Sequence, residues 1–207
     1  MPIENLRLQG INITIVYREL DFRSVSLDGL TRVFPEGPQP VVAKLPDALV
    51  IQYPNRVSFQ LLDRRLRLND PSEDLSRSQL PSVLGPVVAA AGQTDVVAYG
   101  YNYDVVLGVS GIDDSGAFLL DKFLRERSQV EGVLDGSLSR LILELTYGVE
   151  DSQCSLRLEP ANSDNNLKAH LNVHYAHGEL ITEEDSLAER LSYHYDRLRR
   201  SLRDLFA

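Results

Sequence analysis

The feature that most constrains the fold is a two-residue alternation in VVAYGYNYDVVLGV, residues 96–109. One phase is apolar or aromatic throughout and holds Val97, Tyr99, Tyr101, Tyr103, Val105, Leu107 and Val109. The other phase holds Val96, Ala98, Gly100, Asn102, Asp104, Val106 and Gly108. Because successive side chains of a strand point to opposite faces of a sheet, this pattern predicts a long strand with one buried face.

The three tyrosines of this strand allow two interpretations. In a core, the rings would fill a large sheet face, and each hydroxyl would reach a partner or the rim. On a surface, they would form a stacking platform for bases or sugars. A platform is expected to have basic neighbours, whereas the only charged residue of this segment is Asp104. We therefore predict that Tyr101, at the centre of the strand, is buried.

The opposite face of the same strand is where the sequence favours a ligand pocket. Ala98 and Gly100 are small enough to let another group approach the strand closely. Asn102 and Asp104 place polar side chains beside that gap. Two interpretations stay open: a helix packs closely there beside a solvated strand end, or Gly100, Asn102 and Asp104 line a small-ligand site.

Further β-rich segments predict a mostly antiparallel sheet of about six to eight strands. Residues 11–17 alternate in the same way, and a Pro54-Asn55 turn between two β-rich runs predicts a hairpin. Three more strands, one ending near Gly148 and the others in 153–160 and 165–176, resemble an antiparallel meander. Short loops between them favour neighbouring positions in one sheet.

Three segments predict helices, the longest of them C-terminal. Residues 80–92 contain a helical run that Gly92 is placed to end. Ser115 is expected to cap a short amphipathic helix. Thr182 is expected to cap the last helix, which has acidic residues in its first turn and arginines toward its end, as the helix dipole favours.

The order of these elements predicts the fold class. Strand-rich runs are interspersed with helices, without regular alternation of strand and helix, so we expect an α+β fold. The chain has 207 residues, of which 43% are hydrophobic and 25% charged, enough for a sizeable core. A single domain spanning 1–207 is expected, or alternatively two closely packed halves that divide near 110–115.

Composition narrows the classes of partner and compartment. The chain has 30 acidic against 21 basic residues, and its net charge of -9 repels phosphate backbones and anionic lipid surfaces. Neither nucleic acid nor a membrane is therefore an expected partner. Cys154 is the only cysteine, which excludes an intrachain disulfide, and its apolar strand phase predicts a buried, inert thiol. With no signal-peptide pattern at the N-terminus, a soluble cytoplasmic protein is expected.

Patterns typical of catalysis or metal binding fail on geometry or spacing. His170 and His174 would lie ~13 Å apart along a strand, too far for two zinc–nitrogen bonds of ~2.0–2.1 Å. Ser110 in GVSGID falls short of G-x-S-x-G because Ile112 replaces the second glycine. The glycine-rich phosphate-binding motifs are also missing from the sequence. We therefore predict no catalytic residue, no metal and no cofactor.

The C-terminal helix carries an apolar seam. Its members are spaced 4, 3, 4 and 3 residues apart, the rhythm of helix packing, and are Leu191, Tyr195, Leu198, Leu202 and Leu205. The rhythm lasts about two heptads, short of a free-standing coiled coil. Either the helix docks on its own sheet, or it meets a symmetry mate in a homodimer whose arginines contact acidic residues of the partner.

Together these features predict a non-catalytic binding or assembly protein that acts through protein–protein contacts, as a homodimer or with another protein. This prediction depends on the failed catalytic patterns and on the seam, with Leu191, Tyr195, Leu198 and Leu202 as interface residues. The alternative is a small-ligand binder or an enzyme with a pocket beside Gly100, Asn102 and Asp104.

Overall fold

A computed structural model describes residues 3–21, 25–34, 37, 39–92, 95–161 and 165–207. The strands in these residues are β1 Ile3–Tyr17, β2 Val41–Lys44, β3 Ala48–Gln52, β4 Ser58–Leu62, β5 Arg65–Asp70, β6 Val96–Val109, β7 Leu143–Val149, β8 Ser152–Pro160 and β9 Asn166–Tyr175. The α-helices are α1 Leu27–Thr31, α2 Leu80–Ala91, α3 Ser115–Phe123, α4 Arg127–Leu134 and α5 Glu184–Phe206.

All nine strands form one antiparallel sheet in the order β2-β3-β4-β5-β1-β6-β9-β8-β7. The α+β class, the antiparallel sheet and the long C-terminal helix are confirmed. The count of six to eight strands is low, because the run after the predicted hairpin turns again at Asp63, which has a positive φ of 41°. The meander of β7, β8 and β9 is also as predicted.

Two helix caps differ by one residue from the prediction. Asp114, rather than Ser115, caps α3, and its Oδ1 accepts from the backbone N–H groups of Gly116 and Ala117. Glu183, rather than Thr182, caps α5 by accepting from two backbone N–H groups. In each case a carboxylate satisfies two free donors and also places negative charge at the positive end of the helix dipole, which a hydroxyl does not.

The described ranges contain five α-helices where three were predicted. Helix α1 has five residues and α4 buries no residue, so neither has the long apolar stripe that identifies a helix in a sequence. Gly92 ends helix α2, as predicted, and its φ of 65° is left-handed. None of the helices in these ranges is both long and apolar enough to cross a membrane.

The core lies between one face of the sheet and helices α2, α3 and α5. This core face carries the apolar phase of each strand, and in β6 both Tyr101 and Tyr103 are 0% exposed. The Tyr103 hydroxyl donates to the carbonyl of Leu191 at 3.0 Å, which fixes α5 across the middle of the sheet. The tyrosines are therefore core residues, as predicted, and do not form an exposed platform.

The apolar seam of α5 faces this core. Leu191, Leu198 and Leu202 are buried within the chain, and the ring of Tyr195 stacks on Tyr103 with centroids 6.0 Å apart. These leucines therefore pack against the sheet of their own chain. They cannot also line a surface between two folded copies, so the predicted homodimer needs another contact surface.

Candidate functional site

The face of the sheet opposite the core, here called the open face, carries the polar phase of the strands. Across its centre the strand register aligns a row of amide and hydroxyl side chains: Ser58, Asn69, Asn12, Asn102 and Asn172. At one end of the row, the Asn69 amide donates to the Ser58 hydroxyl at 3.2 Å. The Asn102 amide donates to Asn12 at 2.8 Å and accepts from Asn172 at 2.5 Å.

Asn102, a predicted ligand residue, is therefore already occupied within the protein. One amide N–H and the Oδ1 of Asn102 both serve the row, and the residue is only 7% exposed. Gly100 also serves the structure of the sheet. A Cβ there would lie 3.0 Å from the carbonyl oxygen of Val173, so the glycine lets β9 approach β6 closely. The gap predicted beside Gly100 is filled by backbone.

Asp104 is the predicted residue that does reach a cavity. The register places Asp104 of β6 beside His170 of β9, and His170 beside Arg157 of β8. These strands shape a cavity of about 550 Å³ that opens on the open face. Its lining residues are Gln9, Asp104, Val105, Val106, Arg157, Glu159, Lys168, Ala169 and His170. We call it the open-face cavity.

The central feature of the open-face cavity is a histidine–carboxylate pair. His170 Nδ1 lies 2.7 Å from Asp104 Oδ1. An ionised carboxylate accepts a hydrogen bond from Nδ1–H and fixes the orientation of the ring, which leaves Nε2 for a ligand. The two side chains are 40% and 54% exposed, so water screens the pair and also reaches it.

Two cations stand beside this pair. Arg157 Nη2 is held by Glu159 Oε2 at 3.0 Å, and that carboxylate also lies 3.5 Å from Arg140. Lys168 lies opposite Glu159 in the register, yet forms no ion pair with any residue that the structure describes. Lys168 is therefore the cation that can attract an anionic group into the cavity.

The residues with rejected catalytic patterns lie in three places. His170 and His174 both belong to strand β9, which confirms the strand assignment on which their separation was argued. Ser110 lies in the turn directly after β6. Cys154 is 2% exposed, as predicted, and burial raises the pKa of its thiol.

A second polar cluster lies on the core side and was not predicted. His194 of α5 is 2% exposed, and its Nε2 lies 2.8 Å from the hydroxyl of Tyr175, which also accepts from Arg190 at 3.4 Å. Burial, then the positive charges of Arg190 and Arg197, lower the pKa of His194 to about 4. His194 is therefore neutral at pH 7 and ties α5 to β9.

Strand order, rather than any sequence motif, brings the open-face cavity together. Asp104 and His170 are 66 residues apart, and no spacing rule relates them. The available signal was that each lies in the polar phase of a predicted strand. Lys168 and Arg157 share that property, but many surface residues do as well. Pairing β9 with both β6 and β8 brings these four polar positions into one cluster.

Comparisons with known proteins do not assign the site. The chain matches no protein-family model and no curated protein. Roles for Asp104, His170 and Lys168 therefore rest on their geometry.

Proposed function

We propose that the protein binds a small hydroxylated anion in the open-face cavity, such as a hydroxy acid or a sugar phosphate. The observation that carries this proposal is the 2.7 Å contact between His170 and Asp104 beside Lys168, which has no ion pair among the described residues, in a cavity of about 550 Å³. That volume lies in the range of ~300–1,000 Å³ typical of small-molecule sites.

Lys168 and His170 each fit one chemical group of the ligand. Lys168 offers a positive charge, which suits a carboxylate or a phosphate. His170, with Nδ1 engaged by Asp104, offers Nε2 as a hydrogen-bond acceptor, which suits a hydroxyl group. The two residues lie two apart on one face of β9, about 6.6 Å along the strand. A compact molecule of a few carbon atoms spans that distance.

The same pair gives the site a chemical capability beyond binding. A histidine oriented by a carboxylate is an arrangement that can take a proton from a bound hydroxyl group. Because both side chains are reached by water, the electrostatic attraction is weaker than in a closed site. We therefore expect the ligand to bind reversibly. The reaction that the cavity favours is transfer of a proton from the bound hydroxyl group to His170.

Thermal unfolding in the presence of glycerol 3-phosphate, lactate or inorganic phosphate tests this proposal. A ligand at ten times its Kd stabilises the folded state by about 1.4 kcal/mol. We expect at least one hydroxylated probe to raise the melting temperature, and the rise to disappear in Lys168→Gln and in His170→Gln.

His174→Gln is the matched control, because His174 lies on the same strand face and does not line the cavity. It should keep the full response. If no probe stabilises the wild type, or if all three variants respond equally, the proposed site is wrong.

A binding or assembly role through protein–protein contacts is the second proposal. Its support comes from an edge of the sheet rather than from the helix seam.

A further inference from the structure

The two edge strands of the sheet differ in how they are protected. Strand β2 has four residues, follows Pro40 and ends in Lys44, and all three features discourage pairing with another chain. Strand β7 has seven residues, LELTYGV, with no proline or lysine and one charged residue, Glu144. Four of the seven are exposed: Glu144, Leu145, Thr146 and Gly148.

The hairpin between β7 and β8 determines which backbone groups of β7 are free. Val149 and Ser152 flank a two-residue turn, in which Glu150 has a positive φ of 51°. The pair that closes such a turn is hydrogen-bonded, and hydrogen-bonded pairs then recur at every second residue. Glu144, Thr146 and Gly148 therefore direct their N–H and C=O groups away from β8. Beyond the ladder, no other described backbone group bonds to β7.

We propose that β7 pairs antiparallel with β7 of a second copy of this chain, about a two-fold axis at Thr146. In this register Thr146 faces its own copy, and Glu144 faces Gly148 of the partner subunit. Each such pair exchanges two backbone hydrogen bonds, about six in total. The outward groups of the strand are symmetric about Thr146, so this register satisfies all of them.

The side chains fit the same register. Glu144 meets a glycine, and a Cβ built on Gly148 has no atom within 4 Å in its own chain, so the space beside it is open. On the core side, Leu145 meets Tyr147 of the partner subunit, which covers a leucine that is 38% exposed in the single chain. Centring the pair on Glu144 would instead bring two carboxylates together, which is unfavourable.

The resulting dimer joins two sheets into one continuous sheet. A two-fold axis through a pair of facing residues runs perpendicular to the sheet, so both open faces point to the same side. The seam of α5 stays in the core of each subunit, which reconciles a homodimer with the burial of Leu191 and Leu198.

Sedimentation of the full chain tests the proposal. We expect a dimer for the wild type and a monomer for Thr146→Pro, because proline removes an outward N–H that the single chain does not use. Circular dichroism should show that Thr146→Pro stays folded. A wild type that stays monomeric up to about 100 µM, a concentration that would reveal a micromolar Kd, overturns the proposal.

A charge pair at Gly148 tests the register without relying on proline. Gly148→Lys places a lysine against Glu144 of the partner subunit and should tighten the dimer. Gly148→Glu places like charges together and should weaken it. With two symmetric contacts, each change should shift Kd by roughly 2- to 30-fold, in opposite directions. Within one chain, position 148 faces the neutral Gln153, so the two variants should match in stability. Equal Kd values for both variants would show that this register is wrong.

Discussion

Strands β6 and β9 present two faces that differ in what their polar groups do. On the core face, the hydroxyls of Tyr103 and Tyr175 hold helix α5 through Leu191 and His194. On the open face, Asp104 and His170 of the same strands contact each other and face water. Alternate residues of one backbone thus serve stability on one side and are available to a ligand on the other.

The two faces differ in how well they tolerate substitution. A polar group that is buried and hydrogen-bonded is costly to disturb, whereas an exposed pair contributes little to stability. Substitutions should therefore fall into two classes according to strand phase.

The largest effect is expected at Tyr101, which is fully buried. Tyr101→Ala should lower the free energy of unfolding by about 3–5 kcal/mol, because it leaves a large cavity. Tyr101→Phe should be close to neutral, because the Tyr101 hydroxyl is buried with no partner in the described structure. Urea unfolding measures both.

Tyr103→Phe is the matched comparison, because its hydroxyl donates to Leu191. This variant should lower the free energy of unfolding by about 0.5–1.5 kcal/mol. A costly Tyr101→Phe would mean that the Tyr101 hydroxyl has a partner in solution.

The second prediction concerns pH and His194. Its pKa is about 4 in the folded protein and about 6.5 in an unfolded chain, so the unfolded state binds a proton first as the pH falls. The stabilising contribution is complete above pH ~6.5 and is lost as the pH falls through 4. A shift of this size corresponds to a loss on the order of 3 kcal/mol.

Urea unfolding at pH 7 and at pH 4.5 measures most of this loss. The difference between the two pH values should shrink in His194→Phe and persist in His174→Gln, whose histidine lies on the open face. An unchanged pH dependence in His194→Phe would show that other groups cause the acid sensitivity.

The two faces also differ in how far the sequence predicts them. Alternation in 96–109 was enough to place Tyr101 in the core, because burial of a strand face follows from its own residues. The Asp104–His170 contact depends on β9 lying beside β6, although β7 and β8 come between them in the chain. That order is set by packing of the whole sheet, which local patterns do not encode.

Asn102 occupies an intermediate position, since it lies on the open face but is buried in the amide row. Asn102→Ala should cost about 1–3 kcal/mol, because Asn172 loses its acceptor and Asn12 loses a donor. Gln153→Ala, at an exposed position of the same face, should be nearly neutral. If both variants lower the free energy of unfolding by a similar small amount, water replaces the hydrogen bonds of the amide row. The open face then contributes nothing to stability.

The smallest effect is expected at the pair itself. His170→Gln removes an exposed contact to Asp104, and an exposed contact of this kind contributes only about 0.2–1 kcal/mol even when both groups are charged. The variant should therefore unfold nearly as the wild type does in the absence of ligand, while it loses the response to a hydroxylated anion. This separation of stability from binding is what an exposed functional pair requires. If His170→Gln instead costs as much as Asn102→Ala, the pair belongs with the structural groups of the sheet, and the division by strand phase fails at the position where it matters most.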